Sequence, residues 1–171
     1  VSAGDVDAMT VLAATRDKTA VYSFSAPLQA GAVMAGASDA ALHALERFGE
    51  RLGLAYQLID DLIGAFGTPA VSGKDEGCDL REAKKTHLIS LARETEDWPE
   101  VSLALAQAHT GPVAIRAAQA ALSASGARKA LERMVYETLE EATMIVEGAM
   151  LPAACKAMLQ GLVDTVAERV P

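Results

Sequence analysis

The chain has 171 residues, which is enough for one domain with a sizeable core. Hydrophobic residues make up 51% of it but aromatic residues only 4%, a balance that favours an all-α protein over one built on sheets. The formal net charge of −8 argues against a general nucleic-acid-binding or anionic-membrane surface, although a few convergent lysines or a bound metal ion would still create a local anion site.

The two cysteines, Cys78 and Cys155, have no spacing typical of metal ligands, so we expect a reduced, cytoplasmic setting. Polar residues interrupt every apolar run well before the roughly 18 residues of a membrane span, and no basic segment followed by an apolar stretch indicates a secretory signal. The chain opens at Val1 rather than at methionine. We therefore expect either a processed piece or a truncated form of a longer protein.

The first helical region is predicted over about 5–35, with Asp5 as its N-cap and with Pro27 ending or kinking it. A long helix is then predicted over about 38–66, because apolar residues recur along it at helical spacing. The apolar stripe of this long helix comprises Leu42, Leu45, Phe48, Leu52, Ala55, Ile59 and Ile63.

The segment after the long helix, 67–82, is predicted to be a loop because it contains Pro69, Gly73 and Gly77. Loops of this length often bind ligands. Further helices are predicted, in chain order, at about 81–93, 96–109, 112–123, 127–148 and 152–169. With no internal repeat or linker to divide it, the chain is predicted to be a single all-α domain over 1–171, a bundle of antiparallel helices.

Two adjacent carboxylates, Asp60 and Asp61, lie late in the long helix, with Gln57 one turn before them. Acids in so apolar a helix are costly unless a cation or a basic partner satisfies them. Magnesium prefers oxygen ligands and commonly takes one or two protein carboxylates plus substrate phosphates. We expect Asp60 to face inward, since Tyr56 and Ile59 lie beside it, and to be the better metal ligand. A solvated acidic pair near a helix end explains the pattern equally well.

Basic residues follow the acid pair in the predicted loop, where Lys74 adjoins Gly73 and where Lys84 and Lys85 close the segment. Glycine lets a phosphate approach the backbone closely, and lysine supplies a point charge. Four basic residues between positions 74 and 85 are balanced by four acidic ones. Charge alone therefore does not predict phosphate binding, and a solvated surface loop is the simpler interpretation.

Near the start of the chain, Lys18 and Thr19 lie one helical turn before Tyr22. A lysine in this pattern fits an anion contact or a core helix from which its stem reaches solvent. Taken together, these patterns indicate more than each does alone. Four separated segments resemble the motifs of the trans-isoprenyl diphosphate synthases, and they occur in that family's order. The segments are 18–22, 56–61, 72–74 and 79–86, of which the stretch around Asp60 resembles the second aspartate-rich motif.

The resemblance covers nearly the whole chain and implies the C-terminal half of an isoprenoid-synthase-like bundle. It implies a magnesium-dependent prenyltransferase, of geranylgeranyl or farnesyl type, that condenses an allylic diphosphate head-to-tail with isopentenyl diphosphate. In such a reaction metal ions and lysines draw the diphosphate away from the allylic substrate. The double bond of isopentenyl diphosphate then attacks the carbocation while water is excluded.

The resemblance also assigns site residues position by position. Lys18 and Lys74 match lysines that contact the allylic diphosphate, and Lys84 matches a supporting lysine. Asp60 matches the direct ligand of one magnesium ion, and Asp61 matches an acid behind it. Together these five residues are the predicted diphosphate-binding and metal-binding groups.

Thr19 and Gln57 match polar residues near the reacting carbocation and, with Lys18, are the predicted catalytic residues. The sequence departs from the family pattern in two places. The motif Asp-Asp-x-x-Asp has Gly64 at its fifth position here, which removes one supporting carboxylate. The family's first aspartate-rich motif and the Arg-Arg pair after it have no counterpart in residues 1–17. We therefore expect that this chain alone does not complete the reaction.

The three histidines, His43, His87 and His109, have unrelated spacings and are expected to be structural or exposed rather than ligands. Three hypotheses stay open: an enzyme or its C-terminal portion, a non-catalytic partner subunit that tunes an intact synthase, and a helical domain whose motifs are idle. Half of a bundle would expose surface that the full bundle covers. We expect association with the missing N-terminal half or a homodimer, and no nucleic-acid partner.

Overall fold

The computed structural model describes residues 23–68 and 76–171, and all regular structure within these ranges is helical. The helices, in chain order, are α1 Ala26–Met34, α2 Asp39–Phe66, α3 Cys78–Arg81, α4 His87–Arg93, α5 Trp98–Gln107, a 3-10 turn Ala108–Thr110, α6 Pro112–Ala124, α7 Ala127–Gly148 and α8 Ala153–Ala167. The predicted all-α fold class is confirmed. None of the helices in the described part has the length and apolarity needed to cross a bilayer.

Helix boundaries follow the start and stop signals of the sequence in most places. Pro27 lies in the first turn of α1, where a missing N–H costs nothing, and a π-helical turn at 23–25 precedes it. The backbone N–H of Ala41 donates to Oγ of Ser38 at 3.3 Å, so Ser38 caps the start of α2. The predicted bounds of α2 and α7 are confirmed. The part of the first helical region before residue 23 lies outside the described residues.

The predicted loop and the helix after it differ from the structure. Residues Cys78–Arg81 form the short helix α3, and α4 begins at His87 instead of continuing from position 81. Between them Ala83 has a φ of 51°, a left-handed conformation through which an α-helix cannot run. The prediction was wrong here because neither glycine nor proline marks the break between Arg81 and Thr86.

The described residues pack into two compact units. One contains 58–68, 76–133 and 171, and the other contains 23–57 and 134–170. Fully buried core residues of the first unit include Leu58, Ile59, Leu62, Leu88, Val101, Leu122 and Leu131. Fully buried core residues of the second unit include Phe48, Leu52, Val135 and Leu159. Of the predicted stripe of α2, every residue except Leu42 is buried.

Candidate active site

Four of the predicted site residues lie in the described part of the chain: Gln57, Asp60, Asp61 and Lys84. Lys18, Thr19 and Lys74 lie outside the described residues. Gln57, Asp60 and Asp61 belong to the last turns of α2, and Lys84 lies between α3 and α4. Asp60, Asp61 and Lys84 belong to one compact unit, and Gln57 belongs to the other.

Asp61 is buried and bound to a histidine that follows it by 26 residues. Its Oδ2 accepts the backbone N–H of His87 at 2.9 Å and lies 2.8 Å from Nδ1 of the same residue. Because an ionised carboxylate only accepts hydrogen bonds, Nδ1 carries the proton in this contact. The side chains of Asp61 and His87 are only 7% and 3% exposed, so water does not compete for the pair. This arrangement fixes the end of α2 to the start of α4.

His87 is therefore structural, as expected of the histidines, but the sequence did not indicate its partner. His43 and His109 are exposed. The buried Nε2 of His87 has no hydrogen-bond partner, so the ring makes its polar contact through Nδ1 alone. The local signal for this contact was Thr86, which caps α4: its Oγ1 accepts the backbone N–H of Ile89. The backbone N–H of the first residue of α4 has no partner within the helix and donates to Asp61 instead.

Asp60 and Gln57 are both half-buried on α2. We expected Asp60 to face inward; it is half-buried, and Asp61 is the more deeply buried of the two acids. The reason is the His87 side chain, which gives Asp61 a buried polar partner. Both Asp60 and Gln57 make polar contacts within the chain.

Gly64, at the fifth position of the acid motif, lies directly beneath the side chain of Asp79. A Cβ added to Gly64 would overlap Oδ2 of Asp79 and lie 2.5 Å from its Cγ. In addition, Sγ of Cys78 lies 3.9 Å from the carbonyl oxygen of Gly64, within reach of a weak S–H···O bond. The glycine therefore allows the short helix α3 to pack closely on the end of α2.

Lys84 is held by two acids of its own segment. Its Nζ forms a short ion pair with Oδ1 of Asp79 and a second one, at 3.2 Å, with Oε2 of Glu82. The hydrogen bond to Asp79 raises the pKa of Lys84 above its ordinary value. Partial burial opposes this rise, and the hydrogen bond to Glu82 adds to it. The two acids therefore stabilise the charged form of Lys84, and its side chain remains 49% exposed.

These contacts join the end of α2 that bears the acids to the segment that bears the lysine. Sequence reasoning missed Asp79 and His87, the two residues that make the connections. Asp79 entered only as one of the acids that balance the charge of the loop and as the first residue of the motif segment 79–86, with no role assigned to it. A glycine in place of a motif acid was the signal that something approaches α2 closely at position 64.

The donor chemistry at the end of α2 suits a hard divalent cation. Within the described residues no group of three histidine, cysteine or acidic side chains lies close enough to hold a metal ion by itself. Magnesium needs only one or two protein carboxylates when phosphate oxygens complete its coordination. Oδ2 of Asp61 accepts two hydrogen bonds from His87, and Asp60 also has an interaction within the chain. The carboxylates of Asp60 and Asp61 are thus of the chemical class that could hold magnesium together with phosphate oxygens.

Comparison with known proteins identifies the family. Residues 3–124 match the polyprenyl synthetase family model, and the chain belongs to this family. Over 125 residues it is 37% identical to a geranylgeranyl diphosphate synthase of Mycobacterium tuberculosis, an alignment covering 70% of this chain and 35% of the relative. Over 171 residues it is 32% identical to a geranylfarnesyl diphosphate synthase of Aeropyrum pernix, covering 97% of this chain and 52% of the relative.

Solved structures of the family have the same fold. A geranylgeranyl pyrophosphate synthase from Corynebacterium glutamicum, complexed with isoprenyl diphosphate and magnesium, superposes with a TM-score of 0.89 at 33% identity over 96% of this chain and 48% of that one. A polyprenyl synthase from Caulobacter crescentus, complexed with calcium and isoprenyl diphosphate, has a TM-score of 0.84 at 30% identity over 98% and 51% of the two chains. The chain thus spans about half of these structures, and from about a third to about half of the two curated relatives above.

Proposed function

We propose that this chain is the C-terminal portion of a prenyl diphosphate synthase, which condenses an allylic diphosphate head-to-tail with isopentenyl diphosphate. The observation that carries the proposal is the attachment of the Lys84 segment to the acid-bearing end of α2 through the Asp61–His87 pair. The attachment ties the segment that carries the Lys84 cation to the end of α2 that carries the acid pair. A cation and two carboxylates on connected segments are the charge arrangement that a metal–diphosphate site requires.

In this proposal the chain binds the diphosphate and stabilises the charge that develops on it. Magnesium, when bound, neutralises the leaving group. Asp60 would hold the metal, and Asp61, fixed by His87, keeps the end of α2 in place. Lys84 contributes a point charge to the diphosphate, and we assign Lys18 and Lys74 the same role from the family motifs.

The remaining proposed groups act on the allylic fragment. From the family motifs we assign to the side-chain carbonyl of Gln57 and the hydroxyl of Thr19 the stabilisation of developing positive charge, which oriented oxygen dipoles provide. Lys18, next to Thr19 in sequence, completes the proposed catalytic set. We further infer that the chain forms a single domain and works in the cytoplasm. It would act as a homodimer or together with the N-terminal half of the family fold.

Gly64 supports a second candidate, a non-catalytic partner subunit of an intact synthase. The fifth motif position carries no carboxylate, and the space beside it is taken by Asp79. A partner subunit would keep the fold and the family surfaces without needing a complete metal site. The two candidates differ in whether the acids of this chain matter for turnover.

The deciding experiment mixes this chain with an N-terminal half that bears the first aspartate-rich motif, taken from the Mycobacterium tuberculosis relative, and measures magnesium-dependent diphosphate release. We expect turnover that Asp60→Asn lowers by at least about 100-fold, the scale of losing a key electrostatic contact in the transition state. Asp97→Asn, at an exposed acid, is the matched control and should leave the rate unchanged. Turnover that Asp60→Asn does not alter would support the partner subunit, and no turnover in any such mixture would overturn the synthase proposal.

A further inference from the structure

The short helix α3 is fixed to its surroundings at two glycines. Beneath Asp79, a Cβ on Gly64 would overlap the carboxylate, and beneath the preceding turn, a Cβ on Gly77 would overlap Cγ2 of Ile115. Gly77 also has a φ of 62°, which a side chain would strain. Both close approaches depend on the absence of a side chain. The close packing at these two glycines leaves the carboxylate of Asp79 little freedom to move.

The fixed carboxylate in turn holds Lys84. The backbone N–H of Lys84 donates to the carbonyl oxygen of Asp79 at 3.0 Å, and its Nζ pairs with the carboxylate of the same residue. Backbone and side chain of Lys84 are thus both tied to Asp79. Glu82, whose side chain is 60% exposed, is the second partner of Nζ.

An ammonium group has three N–H donors. Two carboxylates engage Nζ of Lys84, and its side chain is still about half exposed to solvent. One donor is therefore left to point away from both acids. A lysine with a free stem would sample many directions, whereas its two ion pairs narrow the directions open to the remaining N–H of Lys84.

We propose that Asp79, seated in the space left by Gly64, is a positioning residue that orients Nζ of Lys84 toward a phosphate oxygen. The inference rests on the proposed function and deepens it. Position 64 then has a role different from the one its motif suggests. Because Gly64 has no side chain, the carboxylate of Asp79 fits beside it and can act on Lys84. The raised pKa of Lys84 agrees with this strong pairing.

Simple electrostatics predicts the opposite effect of removing Asp79. Without its negative charge, a diphosphate would meet less repulsion and bind more tightly. If Asp79 orients Lys84, Asp79→Asn weakens binding in spite of the favourable charge change. Gly64→Ala is sharper still, because it alters no charge and displaces only the Asp79 side chain.

The test titrates inorganic diphosphate into the 171-residue chain at saturating magnesium and follows binding by calorimetry. We expect Asp79→Asn and Gly64→Ala each to raise the dissociation constant by about threefold to tenfold, the range of one charge-assisted hydrogen bond. Gly161→Ala, in α8 with open space at its Cβ, is the matched control and should bind as the unaltered chain does.

A double-variant cycle separates positioning from direct contact with the metal. In a Lys84→Met background Asp79→Asn should have no further effect, because the lysine on which Asp79 acts is gone. If Asp79→Asn weakens binding equally with and without Lys84, or if it tightens binding in the unaltered background, the inference is overturned. Should Gly64→Ala unfold the chain, the nearly isosteric Asp79→Asn still decides.

The same titration distinguishes this inference from the function on which it rests. No binding of diphosphate by the unaltered chain would overturn both. Binding by the unaltered chain that is the same in Asp79→Asn and Gly64→Ala would overturn the positioning role alone.

Discussion

Helix α7 and the segment 78–87 are specified by different kinds of interaction. Helix α7, Ala127–Gly148, is one regular amphipathic helix whose buried residues recur at helical spacing. The segment 78–87 contains a four-residue helix, an alanine with a positive φ and the first residue of another helix. Its shape depends on Asp61 and Gly64, residues of another helix. Periodic burial is sufficient to specify the first region, whereas individual long-range contacts specify the second.

The largest effect is expected for the core of α7. Leu131 is fully buried, so Leu131→Ala should lower the free energy of unfolding by about 2–5 kcal/mol through lost burial and a cavity. Tyr136→Ala, at a side chain 57% exposed on the same helix, is the control and should stay within about 0.5 kcal/mol. Urea unfolding followed by circular dichroism measures both. Equal costs would show that burial does not determine the stability of α7.

An intermediate effect is expected for the contact between Asp61 and His87. His87→Ala removes the ring donor from a buried carboxylate but keeps the backbone N–H, so we expect a loss of about 1–3 kcal/mol in the free energy of unfolding. His109→Ala, at an exposed histidine, should change little. Asp61→Asn should cost less in the His87→Ala background than alone, since the two residues share one interaction. Strictly additive costs would contradict the pairing seen in the structure.

The two regions also differ in what the sequence could predict. The bounds of α2 and α7 follow from apolar periodicity and from Ser38 and Gly148 at their ends, signals that lie within each helix. The acids and Lys84 were recognised by motif resemblance. The contacts of Asp61 with His87 and of Asp79 with Gly64 join residues 26 and 15 positions apart. No periodicity encodes such pairs, so neither partner could be found before the structure placed α3 and α4 on the end of α2.

The smallest effect on stability is expected for Ala83. Replacement of alanine by glycine should have opposite signs there and inside a regular helix. The φ of 51° at Ala83 is strained for a residue with a Cβ, so Ala83→Gly should stabilise the chain by about 0.5–1 kcal/mol despite the greater freedom of glycine in the unfolded state. The same change at Ala120, an exposed residue inside the regular helix α6, should destabilise by about 1 kcal/mol. Thermal unfolding of the two variants gives the comparison directly. If Ala83→Gly destabilised the chain as Ala120→Gly does, the left-handed turn would not carry strain, and the break between α3 and α4 would need another cause.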